Sequence, residues 1–161
     1  MRRGDSYLKI ANQHQTTLDC MMHFNQFAEL GNLYPGDKLT LMALNFSLVV
    51  DREFNILQLW NGEEWVKDYT IQKLDFEGVK LESKYTIGNK TGFAKERAYS
   101  PRSPQYRSAR KSLSLKNSIL EIGSLPTELN QEVGFGVFLE PEDMEELCLL
   151  LRLGNKVEIR L

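Results

Sequence analysis

At 161 residues, with 42% hydrophobic and 26% charged side chains, the chain can bury a real core and is too apolar for global disorder. Its net charge of −2 hides a segregation: Lys84 to Lys116 holds nine Lys or Arg against Glu96 alone, while the rest of the chain is strongly acidic. The 2 cysteines, Cys20 and Cys148, are too few and too isolated for a disulfide framework, which points to a cytoplasmic or other reducing intracellular compartment. No apolar run is long enough for a signal peptide or a membrane span, so no membrane partner is expected.

Residues 1 to 13 are polar and read as a flexible N-terminus. From Thr17 to Leu30, apolar residues recur at spacings of three and four, and Gly31 can end the helix they predict. Leu33-Tyr-Pro-Gly36 is a turn. Strands are then expected over Lys38–Val50, Asn55–Trp60, Trp65–Phe76 and Val79–Ile87, with Asn61-Gly62, Glu77-Gly78 and Gly88-Asn89 as tight turns of an antiparallel meander. Phe93 to Tyr99 reads as one more strand. Two prolines and no apolar periodicity make residues 100–108 a mobile basic loop. Leu113 to Ile122 alternates with a slip at Lys116-Asn117, which predicts a bulge or turn, and Val133 to Leu139 is a glycine-spaced strand.

Pro141 to Leu153 is the plainest helix. Proline stands in its first turn, acids crowd its N-terminal end, and Met144, Leu147, Cys148 and Leu151 form a buried stripe. Lys156 to Leu161 alternates strictly as a final strand, which the sequence leaves as though it continues. The expected fold is therefore α+β and β-rich: a single domain over 1–161, with a mostly antiparallel sheet of about seven to nine strands. An N-terminal helix and a C-terminal helix pack on that sheet.

The chemistry-bearing residues are sparse. Asp19, Cys20 and His23 share a helix with His14 upstream, but one thiol and two imidazoles without a second pair fall short of a zinc site, so no metal or other cofactor is expected. Glu63-Glu64 and the acids of 140–146 place no base against a nucleophile, and Gly134-Phe-Gly136 lacks the third glycine of a dinucleotide fingerprint. These absences predict a protein that is not an enzyme. Trp60 and Trp65 flank the Asn61-Gly62 turn and read as a cross-strand pair, with stacking on a base or sugar as the other use.

The basic run carries interleaved aromatics, which is the pattern single-stranded nucleic acid requires. Lys95, Arg97, Arg102, Arg107, Arg110 and Lys111 would contact phosphates, and Tyr99 and Tyr106 would stack on bases. A solvated loop is the plainer reading of the same residues, and an acidic protein surface is the other partner they would suit.

Residues 113–153, strand, strand, then an acid- and proline-marked helix, resemble the last strands and helix of whirly and transcription-coactivator-type single-stranded nucleic-acid-binding domains. That resemblance implies a curved sheet, supported by the helix, as the binding surface. The reading is therefore a non-enzymatic protein binding single-stranded DNA or RNA, with a homo-oligomer compatible with it. The rivals are a calycin-like barrel around an apolar ligand and a protein-interaction or viral accessory module.

Overall fold

The computed structural model describes residues 5–27, 30–94, 97–126 and 133–160. In chain order these hold α1 (Tyr7–Gln13), α2 (Leu18–Phe24), β1 (Phe46–Asp51), β2 (Ile56–Asn61), β3 (Glu64–Thr70), β4 (Lys73–Asp75), β5 (Lys84–Ala94) and β6 (Arg97–Tyr99). A 3-10 helix (Pro104–Ser108), β7 (Arg110–Leu115), β8 (Leu120–Ser124), β9 (Phe135–Leu139), α3 (Pro141–Leu150) and β10 (Lys156–Arg160) follow. The fold is β-rich α+β, as the alternating segments predict.

The strands follow the order β3-β2-β1-β10-β5-β7-β8-β9-β4, with β6 attached to β5. Pairing is antiparallel except for β1 with β10 and β8 with β9. β5 joins the two halves of the sheet. Its start, Lys84–Thr86, pairs with β10, and Ile87–Phe93 pairs with β7 across an irregular step between Ile87 and Asn89. Alternation then puts Leu48, Val50, Leu57, Leu59 and Tyr69 of one half in the same core as Leu113, Leu115, Ile122, Val137 and Leu139 of the other.

α3 closes that core with Met144, Leu147, Cys148 and Leu151, the stripe read from the sequence. A second, smaller cluster belongs to the N-terminal helices: Ile10, Ala11 and Met21, with Tyr7, Leu18, Leu33, Leu39 and Leu41 against them. Thr17 caps α2 by accepting from the Cys20 N–H at 2.9 Å, and its hydroxyl donates to the Leu149 carbonyl at 2.9 Å, which ties α2 to α3. Arg152 Nε adds a bond to the Leu44 carbonyl at 2.9 Å.

Several boundaries differ from the expected ones. Residues 7–13 form α1, capped by Ser6, because Tyr7, Ile10 and Ala11 make one short apolar edge that the small cluster buries. The strand expected from Lys38 begins only at Phe46. Trp65–Phe76 divides into β3 and β4, and β4 pairs with β9 rather than continuing the meander. Gly88-Asn89 is no turn but the irregular step inside β5, which starts at Lys84. The segment expected as a mobile loop carries the 3-10 helix, since Tyr106 supplies an apolar anchor that composition alone does not reveal. No helix among the described residues is long and apolar enough to cross a membrane.

Two substitutions test this packing. Leu147→Ala should cost about 2–5 kcal/mol, read as a lower urea midpoint, because Leu147 is fully buried under the sheet. Gly136→Ala should cost more than about 3 kcal/mol or prevent folding. Gly136 has φ of +148°, and a Cβ there would lie 1.9 Å from the Glu121 carbonyl oxygen. A soluble, cooperatively folding Gly136→Ala variant with the parent's midpoint would contradict the β8–β9 register.

Candidate functional site

Strand alternation scatters the basic run instead of lining it up. Lys90 and Lys111 point toward α3 and are buried, Lys111 at 2% exposure. Tyr106 is buried at 3% exposure on Gly92, where a Cβ would come within 2.9 Å of its ring. Arg110 is half-buried: Nη1 donates to the Ser124 carbonyl at 3.1 Å, and the guanidinium lies over the Phe93 ring. Arg97, Arg102 and Arg107 are exposed and Tyr99 is half-buried, while Lys95 lies outside the described residues. The seven described positions therefore form no continuous strip, and a buried ammonium and a buried ring are not open to phosphates or bases.

What the fold does assemble is a cavity of about 230 Å³ between α2, the 3-10 helix and α3. α2 contributes Asp19 and His23, one turn apart on one face. The 3-10 helix contributes Tyr106 and Arg107, β7 contributes Lys111, and α3 contributes Glu145 and Cys148 at a spacing of three. Lys111 Nζ donates to the carbonyls of Tyr106 at 2.6 Å, Ala109 at 2.9 Å and Arg107 at 3.2 Å, and meets Glu145 Oε1 at 2.7 Å. On the neighbouring strand Lys90 Nζ donates to the Cys148 carbonyl at 2.6 Å. Among the described residues Arg107 reaches only the Met22 sulfur, at 3.9 Å, and its guanidinium lines the cavity.

Burial sets the electrostatics. It raises the Asp19 carboxyl above the ordinary value near 3.8, with Lys90, Lys111 and Arg107 pulling partly the other way. No ion pair neutralises Asp19 among the described residues. Desolvation also lowers the Lys90 ammonium, and pushes the Cys148 thiol up to about 11 and the Cys20 thiol upward. The Tyr106 hydroxyl, raised by burial, has no full hydrogen-bond partner and only the weak thiol of Cys148 beside it. Among the described residues no group of three His, Cys, Asp or Glu could hold a metal ion. The site thus offers a poised carboxyl and an open guanidinium, with the Tyr106 hydroxyl and the Cys148 thiol shielded.

By spacing alone, Asp19, Cys20 and His23 fall short of a metal site and read as a core cysteine beside surface side chains, so the cavity stays hidden. Its members come from four elements, and the one local signal, Asp19 and His23 at i and i+4, is common on any helix.

Two measurements test the electrostatics. Because the raised Asp19 pKa means the folded state binds more protons, stability should fall as pH rises above about 3.8. Asp19→Asn should flatten that part of the profile and be no less stable than the parent at pH 7, read by urea midpoints from pH 4 to 8. Iodoacetamide should alkylate Cys148 far more slowly at pH 7 than a model thiol of ordinary pKa, and rapid labelling of the folded chain would contradict its burial.

No protein-family model matches the chain, and no curated protein matches it in sequence. Solved structures resemble it in fold. The L,D-transpeptidase from Stackebrandtia nassauensis superposes on 89% of this chain and 65% of its own, with TM-score 0.54 and 15% identity. For the L,D-transpeptidase from Mycobacterium smegmatis the shares are 74% and 60%, with TM-score 0.51 and 9% identity. A fused Zn-dependent amidase/peptidase/peptidoglycan-binding domain-containing protein from Clostridium acetobutylicum gives 72% and 52%, TM-score 0.53 and 9% identity. The chain thus spans between about half and two thirds of the length of these proteins. At such identities the likeness is one of fold, and it corrects two expectations. The chain that holds the strands and helix of 113–153 resembles L,D-transpeptidases in fold, which overturns the expected likeness to whirly and transcription-coactivator domains. The expected non-enzymatic nucleic-acid binder gives way to a fold shared with L,D-transpeptidases, which are enzymes, and the expected calycin-like barrel to a strand path with separate ends at β3 and β4.

Proposed function

We propose that this chain is a peptide-acting domain on the L,D-transpeptidase fold, receiving the free carboxylate end of one peptide together with the free amine of an acceptor. The observation that carries this reading is the mixed charge of the cavity between α2, the 3-10 helix and α3. Asp19 and Arg107 line it beside the Lys111–Glu145 ion pair, which is closed at 2.7 Å. Arg107 anchors the carboxylate, for which its fork is shaped. The neighbours' name, transpeptidase, supplies the reaction class: exchange of one peptide bond for another.

In that reaction Asp19 accepts the proton of the attacking amine as the new N–C bond forms at the peptide carbonyl. The proton then passes to the departing amine as the old C–N bond breaks. A carboxyl raised by burial suits such a transfer, because its proton affinity is closer to that of the reacting groups. Neither shielded thiol enters these steps, so turnover is expected to withstand iodoacetamide at pH 7.

Short peptides with an L residue followed by a D residue at a free C-terminus, supplied with an amine acceptor, test the reading by calorimetry and by mass spectrometry of products. Arg107→Ala should weaken binding about tenfold or more, and Asp19→Asn should abolish exchange while binding persists. Absence of binding at millimolar peptide would end this reading, as would exchange that Asp19→Asn leaves unchanged.

A further inference from the structure

The outer face of the β3-β2-β1-β10-β5 half of the sheet has no part in the cavity just described. Leu57 and Leu59 of β2 enter the core, so Ile56, Gln58 and Trp60 point outward. Trp60 and Trp65 are register partners across the β2–β3 hairpin, at the point where the ladder slips. Trp65 is 56% exposed, and Trp60 is half-buried beside it. Each indole is held by its ring N–H: Trp65 Nε1 donates to Asp68 Oδ1 at 2.7 Å, and Trp60 Nε1 to Gln58 Oε1 at 3.3 Å. Two flat apolar rings are thereby fixed at the surface in set rotamers.

The next lane begins at Ser47, the register partner of Trp60. From Ser47 a groove of about 630 Å³ runs over β1, β10 and β5 to the Lys116-Asn117 turn. At the usual strand spacing of about 4.8 Å, the face from β3 to β5 is roughly 19 Å across. Ser47, Thr86 and Asn117 give it neutral donors and acceptors, and Lys84, Lys116 and Lys156 stand exposed along it. None of these three ammonium groups makes an ion pair or hydrogen bond among the described residues. Lys84 faces Glu158 in register, yet Glu158 lies with Arg160 at 3.7 Å instead.

The backbone of this face is already used, since β2, β1, β10 and β5 are each paired on both sides. Over these four strands no peptide strand can add, so recognition in the groove is left to side chains; the unpaired edge of β3 lies outside it. Fixed rings flanking a hydroxyl-, amide- and amine-lined groove suit a ligand with apolar ring faces and many hydroxyls. Three unpaired lysines suit carboxylates upon it, while Glu82 and Glu158 in the same groove oppose a polymer with a charge at every step. We propose that this face binds an acidic oligosaccharide. A sugar ring stacks on Trp65 and Trp60, and its carboxylates meet Lys84, Lys116 and Lys156.

The 2 tryptophans of the chain are both in this platform, so intrinsic fluorescence reads it directly. The protein is titrated with a hyaluronan oligosaccharide, with the same oligosaccharide after carboxyl reduction, and with an oligothymidylate of matched charge. A saturable change with the acidic sugar is expected, weakened about tenfold or more by Trp65→Ala. Lys84→Gln/Lys156→Gln should weaken the acidic form alone and reduce its salt dependence. Arg107→Ala should change nothing, which separates this surface from the peptide cavity. No saturable change at millimolar sugar would overturn the proposal. So would indifference to Trp65→Ala, equal binding of the carboxyl-reduced sugar, or oligothymidylate binding as tightly.

Discussion

A single ammonium group holds the functional end of this fold together. Lys111 leaves water almost completely, a step that costs several kcal/mol for an unpaired ion. Four oxygens receive it: three main-chain carbonyls of the 3-10 helix and its exit, and the Glu145 carboxylate of α3. The carbonyls at the end of a short helix otherwise need water or caps, so one cation satisfies both sets of needs. With the helix end pinned, Tyr106 sits on Gly92, the Cys148 thiol stays covered, and the cavity keeps its wall. Replacing Glu145 alone would leave the cation bound by carbonyls but unneutralised; replacing Lys111 would free the helix altogether.

The cavity lies where the small N-terminal cluster meets the sheet. Asp19 and His23 come from α2 on the first side, and Lys111 of β7 with Glu145 and Cys148 of α3 from the second, with the Thr17–Leu149 and Arg152–Leu44 bonds fixing the joint. Its charge pattern is therefore a product of docking rather than of either part alone. Anything that loosened α2 from α3 would bring water to Asp19 and return its carboxyl toward ordinary behaviour.

Much of the architecture was legible because it rests on local periodicity. The stripe Met144, Leu147, Cys148 and Leu151, the Asn61-Gly62 hairpin and the alternating final strand each follow from spacing and turn chemistry alone. What stayed hidden depends on long-range pairing. Nothing near Lys73 says that β4 pairs with β9, and nothing near Gly88 says that a strand continues through it. The basic run misled for the same reason. Lys90 and Lys111 look like surface lysines until β5 and β7 pair and turn them both toward α3. Asp19, Tyr106 and Glu145 carry no shared motif, so only the folded chain reveals them as neighbours.

The position of β10 has a consequence for how the chain reaches this state. β10 is the last of the described strands, yet it lies in the middle of the sheet, between β1 and β5. Leu48 pairs with Val157, so the centre of one half joins the first described strand to the last. During synthesis the β1–β2–β3 hairpins and the β5–β7–β8 ladder can form first, but each presents an unfilled edge toward the gap until residues 156–160 emerge. Such an order makes for high contact order and slow completion, and it leaves two sticky edges waiting for one short segment. Val157 and Ile159 thus act as a late-arriving wedge, and a ribosome stalled before them would release two half-sheets prone to pair with other chains.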